Sequence, residues 1–489
     1  MFQSRTVKAA TLGSGQFLVR LTTLITAAVL SRLFVKTDYA AYRQTLLAYT
    51  FVAPLLMLGL PKALYYFIPR DRENGRSILT GNLLLLLLMG FGFMVAMWCG
   101  GNELLANRFS NPALSRLLLI YSPFAVLALP VTAIGACLVS CNRVKMLTIY
   151  NVASRIVIFA CIMVLVLLWR RPEAAISGVV VGELIVFLPA IVLMYRATTG
   201  QHWRPTMQNM WEQVKFSAPL GIAGMLGIIC MNLDKVLVSS LCTPADFAVY
   251  VNGAIEIPLV GVITGSVMAI LIPEFAMMHQ HGQREQILPL WHRAMTKCAM
   301  LIFPIMAFLF VMAPHVMKVL FSAKYAASAI PFRIYLLLLP IRITQFGAIL
   351  MASGKSSWIL IRTIIELTLN GIFSVILIRQ IGYIGAAVAT VLILYLWGLP
   401  FNLLAILRLC KGRFGTLLPY AALAKIAVVT LVAGTLCALS NRWLPLPTSD
   451  VTRLAVVSPV FLGALFTLMF LTGLLKISAL KAFLRHAGF

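Results

Sequence analysis

Acidic residues are scarce in this chain of 489 residues, which has 14 Asp and Glu against 40 Lys and Arg. Charged residues of both signs make up 11% of the sequence, whereas a soluble protein has roughly 25%. Hydrophobic residues make up 61%, and the mean hydropathy is +0.95. This composition excludes a soluble globular domain, a disordered basic tail and a nucleic-acid-binding domain. It predicts an all-α polytopic membrane protein with a formal net charge of +26.

Cysteine shows no pattern typical of a metal site or of a disulfide framework. The nine cysteines are odd in number and scattered through apolar stretches. Cys137 and Cys141 are four residues apart, on one face of a helix, but no His or Cys pair joins them at metal-ligand spacing. We therefore expect no metal and no cofactor.

Long polar segments are also absent, so no connection is long enough to hold a soluble domain. About 20 mainly apolar residues are needed to cross a bilayer. About fourteen such stretches are present, and they cover residues 10–34, 41–68, 78–98, 115–139, 147–169, 173–196, 214–240, 246–277, 288–313, 330–353, 357–379, 383–408, 416–440 and 452–475. The short basic N-terminus has no cleavage site in the right place and is expected to be the cytoplasmic start of the first span.

The distribution of Lys and Arg predicts the orientation, because cytoplasmic loops carry an excess of basic residues. With a cytoplasmic N-terminus, about 20 basic residues fall on the inner side and about 11 on the outer side. The even number of spans agrees with this bias. Both termini are therefore predicted to be cytoplasmic.

An internal repeat is visible at two places in the sequence. Residues 31–42 (SRLFVKTDYAAY) align with 239–250 (SSLCTPADFAVY), and 135–143 (GACLVSCNR) align with 347–355 (GAILMASGK). The similar offsets indicate that spans 1–6 are duplicated as spans 7–12, with spans 13 and 14 outside the repeat. The predicted organisation is an N-terminal six-helix lobe at 1–197, a cytoplasmic linker at 198–213, a second lobe at 214–410, and two C-terminal helices with a basic cytoplasmic tail at 411–489. Transporters built from such repeats place substrate between the halves.

Several stretches resemble the polysaccharide transporter family of the multidrug/oligosaccharidyl-lipid/polysaccharide exporter superfamily. They are NLDKVLV at 232–238, ADFAVY at 245–250, HVMKVLFSAKYAAS at 315–328, ASGK at 352–355, NGIFSVILI at 370–378 and GYIGAAVAT at 382–390. The resemblance implies a flippase of the bacterial inner membrane. Its cargo would be an undecaprenyl-diphosphate-linked oligosaccharide for O-antigen, capsule or exopolysaccharide assembly. Membrane lipids, a polysaccharide polymerase and a chain-length regulator would be its partners, and nucleic acid would not.

Charged residues inside the predicted spans are costly, and they usually face a cavity or the bundle interior. Four are acidic, namely Glu183, Asp234, Glu256 and Glu366. Nine are basic, namely Arg20, Arg43, Lys62, Arg155, Lys235, Lys297, Arg333, Arg342 and Lys425. The excess of positive charge predicts a cationic cavity that binds an anionic group such as a diphosphate.

The candidate phosphate-binding residues are Gln16, Arg20, Arg43, Lys62, Arg155, Lys235 and Arg342. Arg20 ranks first because it lies midway along span 1, one turn after Gln16. The structural alternative for Arg20 is a pairing with a carbonyl or with Glu183. Lys62 follows Pro61, where a kink would free a carbonyl group. Arg43 has the alternative of extending to the membrane interface.

A second site is predicted from acidic and amide side chains of spans 7 and 8. Asp234, Asn252 and Glu256 are candidates to bind a coupling cation, either a proton or Na⁺. The alternative is a network of ion pairs that stabilises the second lobe. Asp234 and Lys235 are adjacent on a helix and point about 100° apart, so they would contact different surroundings.

These features favour a flippase that works by alternating access over two other classes of protein. A multidrug–cation antiporter of the same superfamily would need an acidic or neutral cavity. A membrane glycosyltransferase or polymerase would need a catalytic carboxylate or a sizeable loop domain, and the chain is therefore expected to be a transporter and not an enzyme. A flippase for lipid II-type peptidoglycan precursors stays open as an alternative within the first class.

Overall fold

The computed structural model describes residues 2–200, 202–344, 346–410, 414–443 and 449–475, with side chains from Leu18 onward except at 220, 223, 269, 284, 348 and 356. Across these residues the chain is helical, and no β-strand is present. Twelve helices in this part of the chain are long and apolar enough to cross a membrane. The predicted all-α membrane fold is therefore confirmed.

The chain divides into two compact units, one of residues 1–251 and 363–386 and one of residues 252–362 and 387–489. The helices up to residue 253 are α1 Phe2–Leu33, α2 Lys36–Met57, α3 Leu60–Arg70, α4 Gly75–Ala96, α5 Asn102–Arg108, α6 Ala113–Val131, α7 Ala133–Ser140, α8 Val144–Trp169, α9 Pro172–Ala197, α10 Met207–Leu241 and α11 Pro244–Gly253. The later helices are α12 Pro258–Gln280, α13 Ile287–Phe321, α14 Ala329–Leu336, α15 Leu339–Arg342, α16 Phe346–Ala352, α17 Ser356–Ile381, α18 Ile384–Ile393, α19 Leu399–Cys410, α20 Phe414–Leu417, α21 Tyr420–Trp443 and α22 Asp450–Leu471. All of α10 and most of α11 thus belong to the first compact unit. The predicted repeat had assigned both helices to the second lobe.

Twelve of the fourteen predicted spans match helices of membrane-crossing length, and the other two differ for separate reasons. The first, 10–34, falls on α1, where side chains before Leu18, including that of Gln16, lie outside the described residues. The tenth, 330–353, is divided into α14, α15 and α16. Pro340 stands in the first turn of α15, and proline has no N–H to donate to the carbonyl of the preceding helical turn, so α14 does not continue through it.

Two further predicted spans are continuous in hydropathy but broken in the backbone. Span 2 breaks between α2 and α3, where Leu58 and Gly59 have φ angles of +44° and +72°, just before Pro61. Span 8 breaks between α11 and α12, where Ile257 is extended before Pro258. The kink expected near Pro61 is therefore present, whereas the break in span 8 was missed because its flanking residues are apolar.

The first half of α10 packs on the break between α2 and α3. A Cβ atom on Gly221 would lie 2.2 Å from the carbonyl carbon of Leu58, so only glycine permits this approach of the two backbones. Buried amides hold the same helix elsewhere: Gln44 donates to the Ser239 hydroxyl at 2.9 Å, and Asn82 donates to the Gln213 side-chain oxygen at 2.8 Å. Helix α10 is therefore an integral part of the first unit.

The predicted linker at 198–213 is bound to the start of α4. The Thr199 hydroxyl donates to the Arg72 carbonyl at 2.9 Å, and the Ser77 hydroxyl donates to the Arg204 carbonyl at 2.8 Å. Helix α10 begins at Met207, inside this stretch, because the Thr206 hydroxyl accepts a hydrogen bond from the backbone N–H of Asn209 at 3.3 Å. Hydrogen bonds to the start of α4 thus fix the backbone in the described part of this stretch.

The two helices outside the predicted repeat, α21 and α22, pack against α13 in the second unit. Their buried contact includes Met312, Cys437, Phe461 and Met469. The Asp450 carboxylate at the start of α22 lies 2.6 Å from the Nδ1 atom of His315. The predicted tail from 476 onward and residues 411–413 and 444–448 lie outside the described residues.

Candidate functional site

A cavity of about 410 Å³ lies inside the first compact unit. We call it the central cavity. Its wall is formed by side chains from α1, α2, α6, α8, α9, α10 and α11. Its polar and aromatic lining residues are Thr22, Thr23, Thr26, Tyr42, Arg43, Tyr49, Thr50, Tyr121, Phe124, Arg155, Phe159, Asn232 and Lys235. The cavity therefore combines hydroxyl groups, aromatic rings and basic side chains in the membrane-spanning part of the protein.

Three basic side chains line the central cavity, and all three are among the predicted phosphate-binding residues. They are Arg43 of α2, Arg155 of α8 and Lys235 of α10, and no Asp or Glu is among the described residues of the lining. Because these cations come from three different helices, the fold collects charges that are far apart in the sequence. The wall of the cavity is consequently cationic.

Each of the three cations has only weak or partial compensation from its surroundings. The Arg43 guanidinium donates to the Tyr39 hydroxyl at 3.3 Å. The Lys235 ammonium donates to the Met231 carbonyl and to the Asn232 side-chain oxygen, both at 3.4 Å, which is long for a hydrogen bond. Arg155 interacts electrostatically with a carboxylate of α9, Glu183, which is buried and stands behind the lining.

Asp234 and Lys235 point in different directions, as their adjacent positions on a helix require. Lys235 faces the central cavity, whereas Asp234 is buried and accepts a hydrogen bond from the Tyr250 hydroxyl at 2.6 Å. Tyr250 is thereby committed to a structural contact between α10 and α11. The carboxylate of Asp234 belongs to the packing of this pair of helices rather than to the cavity wall.

An aromatic cluster beside the cations was missed by the sequence reasoning. The ring of Tyr49 makes edge contacts with Tyr121 and Phe124, with ring centroids 5.8 and 5.0 Å apart, and Tyr121 stacks on Phe124 at 4.6 Å. Tyr49 stands seven residues after Tyr42, which places both on the cavity side of α2. This spacing is the only sign of the cluster in the sequence.

Two other predicted residues of the first unit do not line the central cavity. Arg20 is exposed on α1, and the lining of the cavity begins at Thr22. Lys62 is exposed in the first turn of α3, with its ammonium close to Gly224 of α10. The side chain of Gln16 lies outside the described residues.

Glu256 and Arg342, which the sequence assigned to different roles, form an ion pair in the second unit. The guanidinium of Arg342 lies 2.8 Å from the Glu256 carboxylate, and both side chains are about half exposed, at 51% and 49%. They line a small cavity of about 50 Å³ between the broken segment 254–257 and α15. Asn252, the third predicted coupling residue, is buried at the end of α11.

Within the described ranges, no group of three or more His, Cys, Asp or Glu side chains is arranged to hold a metal ion. The nine cysteines are free thiols.

Comparison with known proteins gives one family and one fold. Residues 29–330, more than half of the chain, match the model of a family described as polysaccharide biosynthesis protein. The succinoglycan biosynthesis transport protein ExoT of Rhizobium meliloti (strain 1021) is 25% identical over 311 residues, which are 62% of this chain. The aligned part spans 59% of the length of that relative.

Solved structures of transporters have the same fold. The inward closed conformation of the lipid II flippase MurJ matches with a TM-score of 0.78 and 16% identity, over 95% of this chain and 100% of that one. An inward-facing multidrug resistance MATE family transporter of the MOP superfamily matches with a TM-score of 0.62 and 15% identity, over 83% and 99%. A MOP superfamily transporter from Pyrococcus furiosus, described as having a binding pocket of reverse polarity, matches with a TM-score of 0.60, 14% identity and coverages of 83% and 97%.

Proposed function

This chain belongs to the polysaccharide biosynthesis protein family, and we propose that it is a multi-pass transporter of the MOP superfamily, a flippase for undecaprenyl-diphosphate-linked oligosaccharides. It would move an O-antigen, capsule or exopolysaccharide repeat unit from the inner to the outer leaflet of the bacterial inner membrane by alternating access. One observation carries the proposal. The lining of the central cavity holds three cations and, among its described residues, no carboxylate.

The chemistry of a diphosphate matches that lining. Arg43 and Arg155 each offer a planar fork of N–H donors that bind two phosphate oxygens at once, and Lys235 offers a compact charge with three donors. The present hydrogen bonds of Arg43 and Lys235 are long, at 3.3–3.4 Å, so a phosphate oxygen would replace weak partners with a strong one. A cavity inside the membrane-spanning part also strengthens each of these interactions, because the effective dielectric constant there is lower than in water.

The same charges disfavour an organic cation as the cargo, because a positively charged drug would meet three like charges in the wall. The diphosphate of a peptidoglycan precursor would fit the cations as well as that of another lipid-linked glycan. The matched family and the succinoglycan transport relative support a cargo for polysaccharide assembly. The lipid tail would stay in the bilayer during transport, because the cavity of about 410 Å³ is too small for a long isoprenoid chain.

Coupling to a proton or Na⁺ gradient is a separate part of the proposal. Asp234, Asn252 and Glu256 remain its candidate residues. In the present conformation Asp234 is bonded to Tyr250 and Glu256 is paired with Arg342. A coupling ion would therefore have to compete with these contacts, and Arg342 would bind substrate only after releasing Glu256.

The proposal is tested by removing the cavity cations one at a time. In purified protein in lipid nanodiscs, Arg43→Gln, Arg155→Gln and Lys235→Gln should each weaken farnesyl diphosphate binding by about 10- to 100-fold, the weight of one charged hydrogen bond. In cells lacking the native protein, the same variants should restore less surface polysaccharide than wild type at equal membrane abundance. Lys425→Gln is the control, because Lys425 is a basic residue of a spanning helix in the second unit, outside this cavity. Equal binding and equal restoration by cavity variants and control would refute the proposal.

A further inference from the structure

Two adjoining cavities lie where the turn before α4 meets the stretch that leads into α10. One, of about 420 Å³, is lined by Phe67, Arg70, Asp71, Glu212 and Gln213, and the other, of about 540 Å³, is lined by residues that include Asn74, His202, Trp203 and Arg204. Asn209 lines both of them. We call the pair the α4–α10 groove, and it lies entirely within the first compact unit.

The backbone that frames the groove is held in place before any ligand binds. Besides the two hydroxyl contacts described above, the backbone N–H of Arg76 donates to the Thr199 carbonyl at 3.2 Å. A Cβ atom on Gly200, whose φ angle is +131°, would lie 2.5 Å from the carbonyl oxygen of Glu73, so the two segments pass in close contact. A preformed frame lowers the entropic cost of binding.

The groups in the groove match the chemistry of a sugar better than that of a phosphate. Asp71 accepts hydrogen bonds from Asn74 at 3.1 and 2.9 Å, and Glu212 accepts one from Gln208 at 3.3 Å. Each carboxylate has further lone pairs that can accept from sugar hydroxyl groups, and the Asn209 amide can donate and accept. Among the described residues, the side chains of Asn209 and His202 and the indole N–H of Trp203 make no hydrogen bond within the protein. The exposed ring of Trp203 offers a flat face on which the C–H face of a pyranose packs, because the π-face is electron-rich.

The balance of charge separates this groove from the central cavity. Two carboxylates, Asp71 and Glu212, stand beside two guanidinium groups, Arg70 and Arg204, so the groove is near neutral. The central cavity instead holds three cations and, among its described lining, no carboxylate. The α4–α10 groove therefore favours a neutral, hydroxyl-rich ligand, and the central cavity favours an anionic one.

We propose that the α4–α10 groove binds the glycan part of the cargo, apart from the phosphate site in the central cavity. The inference rests on the proposed function, since a lipid-linked oligosaccharide has both chemical parts. The predicted cytoplasmic position of the 70–76 turn and of the 198–213 stretch would place the groove on the side where the cargo is made. The groove would then select cargo by its sugars before the diphosphate enters the membrane.

The test uses two probes on the full-length protein in nanodiscs. The first is the oligosaccharide fraction released by mild acid from lipid extracts of cells that lack this protein and so accumulate its cargo. The second is farnesyl diphosphate. Asn209→Ala should weaken binding of the oligosaccharide fraction by about five- to tenfold, the weight of one or two neutral hydrogen bonds. Glu212→Ala should weaken it by about tenfold or more, because a hydrogen bond to a carboxylate is stronger. Both variants should bind farnesyl diphosphate within about twofold of wild type.

Asn107→Ala is the matched control, because Asn107 is an exposed amide of α5 that lines neither cavity. If wild type does not bind the oligosaccharide fraction, or if the groove variants bind it as the control does, the inference is wrong. If the groove variants lose farnesyl diphosphate instead, the groove is a phosphate site and the inference is again wrong. Failure of the proposed function looks different, because Arg43→Gln would then leave farnesyl diphosphate binding unchanged.

Discussion

Replacing Gly221 by alanine probes how closely α10 is seated on the break between α2 and α3. The added Cβ atom would lie 2.2 Å from the carbonyl carbon of Leu58, 2.5 Å from its oxygen and 2.6 Å from the backbone nitrogen of Gly59. Non-bonded carbon atoms prefer a separation of about 3.5–4.0 Å. The overlap therefore exceeds 1 Å, and it is with backbone atoms that cannot rotate away.

Two opposing effects set the magnitude. Alanine in a helix is favoured over glycine by about 1 kcal/mol. Overpacking of a tight contact costs about 1–3 kcal/mol, and more when the backbone has to move. Because the Leu58 and Gly59 turn is fixed by two positive φ angles, we take the upper end and expect Gly221→Ala to lower stability by about 2 kcal/mol.

Gly224→Ala is the matched control three residues further along the same helix. A Cβ atom there would lie 3.5 Å from the ammonium of Lys62, which is an ordinary contact with the tip of a flexible side chain. This variant should be unchanged or slightly stabilised, because only the gain in helix propensity remains.

The assay is thermal unfolding of detergent-purified protein, with all variants heated at the same rate because unfolding of such proteins is irreversible. Because the Tm shift per kcal/mol falls as chain length grows, Gly221→Ala should lower Tm by about 2 °C, whereas Gly224→Ala should not lower it. A Gly221→Ala protein that melts at or above the wild-type Tm would refute the close packing of α10 on the break.

Two further predictions concern the packing of α10 and the chemistry of one thiol. Tyr250→Phe removes the hydroxyl that donates to the buried Asp234 carboxylate, so it should lower the free energy of unfolding by about 1.5–3 kcal/mol and lower Tm. Tyr65→Phe, at an exposed position, is the control and should leave Tm unchanged. Equal Tm values for the two variants would contradict the hydrogen bond. A hydrogen bond with Cys137, together with two nearby arginine charges, outweighs partial burial and lowers the pKa of Cys141, just outside the spanning helices, to about 7. Because the thiolate is the reactive form, iodoacetamide modification of Cys141 should be half-maximal near pH 7 and should shift to higher pH in Cys137→Ala, which removes the hydrogen-bond donor. A wild-type midpoint near 8.5 would contradict the shift.

Local patterns in the sequence predict most of the fold, because a spanning helix is one continuous stretch of apolar residues. The extent of α8 and α9, for example, follows the predicted stretches 147–169 and 173–196 within a few residues. The break in span 8 and the division of span 10 were not predicted. In both, the residues on either side of the proline are apolar, so hydropathy gives no sign that the backbone changes direction.

The site was only partly predictable, because its members meet through tertiary packing. Arg155 and Lys235 were predicted from their depth in the spans and Arg43 from its place at the start of span 2, and the three share one cavity. Arg20 ranked first for its place midway along span 1, yet it does not line the cavity, although Thr23, one turn later on the same face of α1, does. A single helix pattern cannot say which turns of a helix border a cavity. The pairing of Glu256 with Arg342 spans 86 residues, and nothing local in the sequence marks it.

The attachment of the 198–213 stretch to α4 has a consequence for dividing or labelling this protein. A cut or an inserted reporter in this stretch would separate α10 from the amides and glycines of the first unit that it packs against. The sequence repeat nevertheless makes the 198–213 stretch look like a natural boundary. Half-transporters made by cutting there would each lack part of a shared core. We expect tags to be better tolerated at the exposed residues Asn107 and Ser110, where the backbone leaves one helix before entering the next.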